Sequence, residues 1–296
     1  MAHSKDSYYL PEPSYWPLVG SIGLFLTTGG FAMALVNKTD AGMGNLTVMF
    51  VGLAVLAFMM FGWFGQVIKE SVAGKYNAQV DVSFRMGMAW FIFSEVMLFA
   101  AFFGALFYAR QLSVPWLGGE AASNAMTHSV LWPEFTSTWP LLNTPDGAAY
   151  DTPKDVVGAW GVPLYNTLIL LSSGLTVTWA HWGLKKDNRM QLILGLFLTV
   201  VLGATFVYLQ GVEYGHAYSE LNLKLSSGIY GSTFFMLTGF HGLHVTIGAI
   251  MLLVMLLRSI KGHFSAKDHF AFEAAAWYWH FVDVVWLGLF IFVYAI

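Results

Sequence analysis

Cysteine is absent from the 296 residues. That excludes disulfides, thiolate metal centres and cysteine nucleophiles, and leaves the redox compartment open. Charge is scarce: 10% of residues are charged, against roughly 25% in an average soluble domain. No basic stripe points to nucleic acid. No GxGxxG, GxxxxGK[ST] or HExxH pattern is present, nor is an internal repeat or a low-complexity tract. The N-terminal stretch 1–13 is polar and has no basic region ahead of a short apolar run, so no cleavable signal peptide is expected. What the chain has in abundance is apolar surface: 57% hydrophobic residues, 17% aromatic residues and a mean hydropathy of +0.61. It reads as an all-α, polytopic membrane protein in one domain, residues 1–296.

About 20 apolar residues cross a bilayer as a helix. Seven stretches qualify: Pro17–Val36, Leu46–Ile68, Met86–Tyr108, Pro163–Trp182, Gln191–Tyr214, Leu225–Leu257 and Phe272–Ile296. Pro17 and Pro163 stand where a first helical turn tolerates proline. Ten of the fourteen Lys and Arg residues lie in the N-terminus and in loops 2–3, 4–5 and 6–7. By the positive-inside rule these segments face the cytoplasm or matrix, and the C-terminus faces the other side. The segment 109–162 is long, proline-rich and acidic, and lies on the outer side. A loop of this length is usually functional or partner-facing. Trp116, Trp132, Trp139 and Trp160 suggest that it packs on something or rests at the membrane interface.

Several ionisable residues sit inside these apolar stretches, where they are costly unless turned towards protein or water. Glu95 lies mid-span in Trp90–Ala100 and is expected to be mostly neutral among apolar neighbours. It reads either as a proton-exchanging, lipid-binding or partner-binding carboxyl, or as a structural hydrogen-bonding group with Ser94, Ser173 or backbone as partner. Glu273, His280 and Asp283 fall in the last span, and the i, i+3 spacing of His280 and Asp283 puts them on one helix face. His241 and His244 are three apart in the sixth span, and His181 ends the fourth. Paired helices of a membrane cytochrome each offer a histidine, so haem ligation is one reading of these residues. Interhelical hydrogen bonding, with Asp283 and Glu213 as acceptors, is preferred, and no metal ligand is assigned. Gly228, Gly231, Ser232, Gly239, Gly242 and Gly248 in the sixth span, with Ser172, Ser173 and Gly174 in the fourth, allow close helix approach. Lys69, Arg258, Lys261 and His263 lie at headgroup level on the inner side, as the positive-inside rule or bound phospholipid would require.

The stretches Phe272–Trp286 (FEAAAWYWHFVDVVW), Gly228–Val245 (GIYGSTFFMLTGFHGLHV), Ser94–Phe99 (SEVMLF), Val162–His181 (VPLYNTLILLSSGLTVTWAH) and Ser14–Leu18 (SYWPL) resemble subunit III of haem–copper cytochrome c oxidase, in order and over nearly the whole chain. The resemblance implies seven helices in a two-helix bundle (17–68) and a five-helix bundle (86–296), forming a V-shaped cleft filled by phospholipid. It implies no haem or copper in this chain, since those belong to subunits I and II, and contact of cytochrome c with the complex rather than with this polypeptide. It implies that Glu95 is the family's buried carboxyl and Arg258 a lipid-binding arginine. Lys69, Lys261, His263 and Trp63 join Arg258 at the headgroups. His241, His244, His280 and Asp283 would form one buried polar network. The implied role is to stabilise subunit I and support proton uptake in a proton-pumping oxidase. Lys69 stands where relatives often carry arginine, and Phe64 and Gly65 follow Trp63 where many show tryptophan and arginine. The loop Arg110–Gly161 looks longer than in mitochondrial relatives, which suggests a bacterial source. Three alternatives are subunit III of a quinol oxidase, a stand-alone proton-coupled transporter using Glu95 and Asp283, and a membrane cytochrome with its own haem.

Overall fold

The computed structural model describes residues 9–38, 42–120, 125–147 and 149–296. Long apolar runs form helices because a helix satisfies every backbone polar group within its own segment. Nine α-helices are found among the described residues: α1 Trp16–Val36, α2 Thr47–Val72, α3 Ala78–Tyr108, α4 Val114–Leu117, α5 Ala125–Leu131, α6 Val162–Lys185, α7 Arg189–Ser219, α8 Ile229–Ile260 and α9 Phe270–Leu289. No β-strand occurs among these residues.

Polar caps decide several ends that hydropathy misses. The Asn77 side chain accepts from the Val80 N–H, and the Asn188 side chain from the Gln191 N–H. These contacts start α3 and α7 ahead of the apolar run. The sixth expected span began at Leu225. The helix instead begins at Ile229, because Lys224–Ser227 forms a turn and Gly228 takes φ +94°, a conformation that glycine adopts freely. The expected loop start at residue 109 also moves. A π-helical turn, Ala109–Ser113, carries the helix on into α4. A second π-helical turn, Phe290–Ala295, ends α9.

Six helical segments are long and apolar enough to span a membrane: α1, α2, α3 continued to Leu117, α7, α8, and α9 continued to Ala295. The remaining long helix, α6, has 24 residues. It carries Asn166, several threonines and serines, and His181, which keep it outside that set. Asn166, Thr167 and Ser173 are buried, so these three polar groups are turned into protein.

The chain divides into two compact units at Phe84/Arg85. In the first, α1 and α2 form a hairpin. At Gly30 and Gly52 the partner helix's backbone occupies the place where a side chain would start, so these positions permit the close approach. The Trp16 indole donates to Gln66 Oε1 at 3.0 Å.

The second unit is organised on α9. Phe272, Trp279 and Trp286 recur every seven residues and are all buried. Trp279 Nε1 donates to Ser173 Oγ of α6 at 2.8 Å. Its ring fills the space left by Gly203 of α7 and Gly248 of α8, where an added Cβ would meet it at 2.6 and 2.9 Å. Trp286 donates to Thr167 Oγ1 at 2.9 Å and lies edge-on to Phe206, centroids 4.7 Å apart. In a bilayer the lipid is as apolar as the side chains. Helix association therefore rests on such packing and hydrogen bonds.

The long loop is docked onto the second unit. Leu141, Val157 and Ala159 are buried, and Trp139 packs edge-on against Tyr230. The Lys154 N–H donates to the Leu221 carbonyl at 2.8 Å. Trp160 remains 79% exposed.

Candidate functional site: buried acid–histidine contacts between helices

A regular α3 brings Glu95 towards α8. His244 Nε2 lies 2.8 Å from Glu95 Oε2, and the Ser94 hydroxyl lies 3.3 Å from Oε1. Ser173, one of the expected partners, serves Trp279 and the Leu170 carbonyl instead. The His244 ring is buried, with Phe99 edge-on at 5.0 Å and Tyr278 stacked at 6.3 Å. Its Nδ1 lies 2.6 Å from the Phe240 carbonyl oxygen. A carbonyl can only accept, so Nδ1 carries a hydrogen. If the ring bore no other hydrogen, Nε2 would present a lone pair to a carboxylate oxygen at 2.8 Å. The contact is attractive only with a proton between them, as imidazolium–carboxylate or imidazole–carboxylic acid. The pair is a one-proton site.

The other members of the expected polar network go elsewhere. His241 Nε2 donates to the Val282 carbonyl at 3.2 Å, its ring tilts over Trp286, and its Nδ1 has no partner among the described residues. His280 is exposed, its side chain 46% accessible, with Nδ1 3.6 Å from Asp283 Oδ2 and Nε2 3.3 Å from Thr178 Oγ1. Asp283 is buried, and its Oδ2 fills the space where Gly174 would otherwise carry a Cβ. The single buried network is thus corrected to three separate contacts. Helical periodicity puts His280 on the outside of the bundle while Asp283, three residues on, turns in against α6. Glu213, expected to accept from a histidine, accepts from the Tyr294 hydroxyl at 2.7 Å.

At the C-terminal end of α8, Arg258 is buried. Its guanidinium lies over the Phe264 ring at 4.5 Å, and its Nε has no partner among the described residues. Nδ1 of His263 is likewise buried and unpartnered. Lys261 is exposed beside them. In the other unit, Lys69 and Trp63 are exposed on α2. Between α2 and α3, Tyr76 donates to Glu70 Oε2 at 2.9 Å. Burial first, and Glu70 second, push the Tyr76 phenol well above its ordinary value. On the long loop, Asn222 and then Lys224 hold Asp151 below the usual carboxylate range.

Glu273 and His181 stand out in the sequence, but the cluster they form with Arg85 and His269 does not. Glu273 is bound by Arg85 of α3. Its other oxygen, Oε1, lies 3.1 Å from His269 Nε2 and 3.6 Å from His181 Nε2. The i, i+4 spacing of His269 and Glu273 was the available signal. Arg85 and His181 come from distant segments and gave none.

These features define a class: an all-helical protein embedded in a membrane, several of whose intramembrane acids and histidines bond to groups on neighbouring helices. The protein-family model for cytochrome c oxidase subunit III matches residues 6–145 and 124–296. Among relatives named cytochrome c oxidase subunit 3, that of Pongo abelii is 42% identical over 295 residues, covering 99% of this chain and 98% of the relative. That of Formosania lacustris shows the same identity and coverage. That of Felis catus is 40% identical over 296 residues, again 99% and 98%. The chain belongs to the cytochrome c oxidase subunit III family.

Proposed function

We propose that this chain is the accessory third subunit of a proton-pumping cytochrome c oxidase. It crosses the membrane seven times, α6 being the span in which Asn166, Thr167 and Ser173 are buried against protein. It carries no redox centre of its own, and haem and copper reside in subunits I and II. The complex takes electrons from cytochrome c and reduces O2 to water. This chain stabilises subunit I, supports proton uptake on the inner side and binds phospholipid.

The observation that carries this reading is the Glu95–His244 contact at 2.8 Å. A carboxyl mid-way along an apolar helix is expensive. Here it shares a proton with a partner whose ring is fixed by backbone, which suits a group that keeps helices together and holds a proton near an uptake path. The lipid role draws support from Arg258 and His263 near the inner end of α8, whose Nε and Nδ1 have no hydrogen-bond partner among the described residues. A headgroup phosphate at this end of the helix would complement the guanidinium charge. Lys69 and Trp63 on α2 are proposed as contacts to headgroups of their own. The reading includes a bacterial cytoplasmic membrane with the N-terminus inside and the C-terminus in the periplasm. Its support is the distribution of Lys and Arg and the length of segment 109–162. The animal relatives make the mitochondrial inner membrane the competing setting.

The test is Glu95→Gln in the purified complex, followed over repeated turnovers. A shorter catalytic lifetime and easier loss of this subunit are expected. Unchanged lifetime and retention would remove the role assigned to Glu95.

A further inference from the structure

His181, His269 and Glu273 offer three ligand atoms that all lie within 4.8 Å of one another. They come from the C-terminal part of α6, the residue that precedes α9, and the first turn of α9. The His269 side chain is only 8% exposed. Its Nδ1 lies 3.0 Å from the Ser265 carbonyl oxygen, so Nδ1 carries the hydrogen and, in the neutral ring, Nε2 is a bare lone pair. That lone pair sits 3.1 Å from Glu273 Oε1, yet it is not aligned for a hydrogen bond. His181 Nε2 is also buried without a hydrogen-bond partner, 3.6 Å from the same oxygen. Three electron-pair donors thus gather with no hydrogen bond among them. Without a proton or a metal ion between them these lone pairs repel, and their poor alignment for hydrogen bonding favours the metal ion.

We propose that these three side chains form a divalent transition-metal site whose occupant is zinc. Two imidazoles and one carboxylate are a zinc donor set that leaves a fourth position for water. With metal–ligand distances near 2.1 Å, ligand atoms on a tetrahedral edge lie about 3.4 Å apart, close to the 3.1 and 3.6 Å found here. The outer shell is also built. The Ser265 carbonyl orients the His269 ring, and Arg85 occupies the second oxygen of Glu273, which leaves Oε1 for the ion. The Arg85 guanidinium is itself fixed over the Phe270 ring at 5.0 Å. Its positive charge, with Lys185 one turn beyond His181, makes the site weaker than an all-neutral zinc cage. Zinc bound here would tie the end of α6 to the start of α9.

The experiment uses the chain purified in mild detergent with the subunits that accompany it, washed with a chelator and titrated with ZnCl2 against a fluorescent zinc indicator. Wild type and His181→Gln are compared, since that variant leaves the Arg85–Glu273 contact in place. Wild type is expected to take up one more zinc per complex than the variant. Anomalous scattering at the zinc edge should place the ion between His181, His269 and Glu273 in wild type, which decides the matter even if the variant assembles poorly. Equal zinc uptake in both, or an ion elsewhere, overturns the site. Failure of haem-bearing subunits to accompany the chain would instead strike at the functional reading above.

Discussion

Replacing His244 with phenylalanine removes the ring nitrogens but keeps an aromatic ring between Phe99 and Tyr278. Glu95 then loses its 2.8 Å partner and is left with the weak Ser94 contact. A hydrogen bond to a charged group contributes about 1.5–3 kcal/mol in soluble proteins. Measured interhelical bonds within membranes average about 0.6 and reach about 1.7 kcal/mol. The Glu95 side chain is 20% exposed and its partner 8%, and the bond links α3 to α8, so the upper part of the membrane range applies. A double-mutant cycle with Glu95→Leu and His244→Phe should therefore return a coupling of about 1–1.5 kcal/mol, roughly a 5- to 13-fold change in equilibrium. The assay is detergent-induced dissociation of this subunit from the purified complex, followed by tryptophan fluorescence. Each single variant should weaken retention, and the double variant should be no worse than the poorer single one. If the two losses simply add, to within about 0.3 kcal/mol, the shared-proton contact is not what holds these helices.

The remaining predictions concern other contacts. Gly174→Ala forces a methyl group into Asp283 Oδ2 and should destabilise the second unit by about 1–3 kcal/mol, as overpacking does, read as earlier thermal loss of near-ultraviolet dichroism. Trp279→Ala empties the space bounded by Gly203, Gly248 and Ser173 and should cost about 3–5 kcal/mol, seen as poor assembly or a lower midpoint in the same melt. Arg258→Met should reduce the phospholipid retained per complex in native mass spectra, and an unchanged lipid count would contradict the phosphate contact. Asp151 ties the long loop to Asn222 and Lys224. Its carboxyl is held low, so its contribution is fully present above the ordinary aspartate value near 3.9 and is lost as pH falls through the lower folded value. Proteolysis of segment 109–162 by an acid protease should therefore rise as pH drops below about 4. Asp151→Asn should remove that dependence.

Hydropathy located the long helices well, because an unbroken apolar run has few other structures open to it. It misplaced ends set by a polar side chain or one backbone angle, as at Asn77, Asn188 and Gly228. Glu95 stood out from the chain as a carboxyl that needed a partner. Its partner did not, because His244 lies 149 residues further on and several histidines in apolar spans compete for the role. The i, i+3 relation of His280 and Asp283 was legible, but not which of them faces outward. A three-residue step turns a helix by about 300°, enough to bury one group and expose the other. The Arg85–Glu273–His269–His181 cluster was legible only in its i, i+4 part. The rest depends on how α3, α6 and α9 pack.

The most direct measurement is the composition and colour of what purifies with this chain in mild detergent. If its buried acids and histidines serve packing, proton holding and assembly, the chain will be recovered with haem-bearing partner subunits, and once detached will show no haem absorption band. A chain purified alone that carries a haem band, lost when His241 or His244 is substituted, would contradict this.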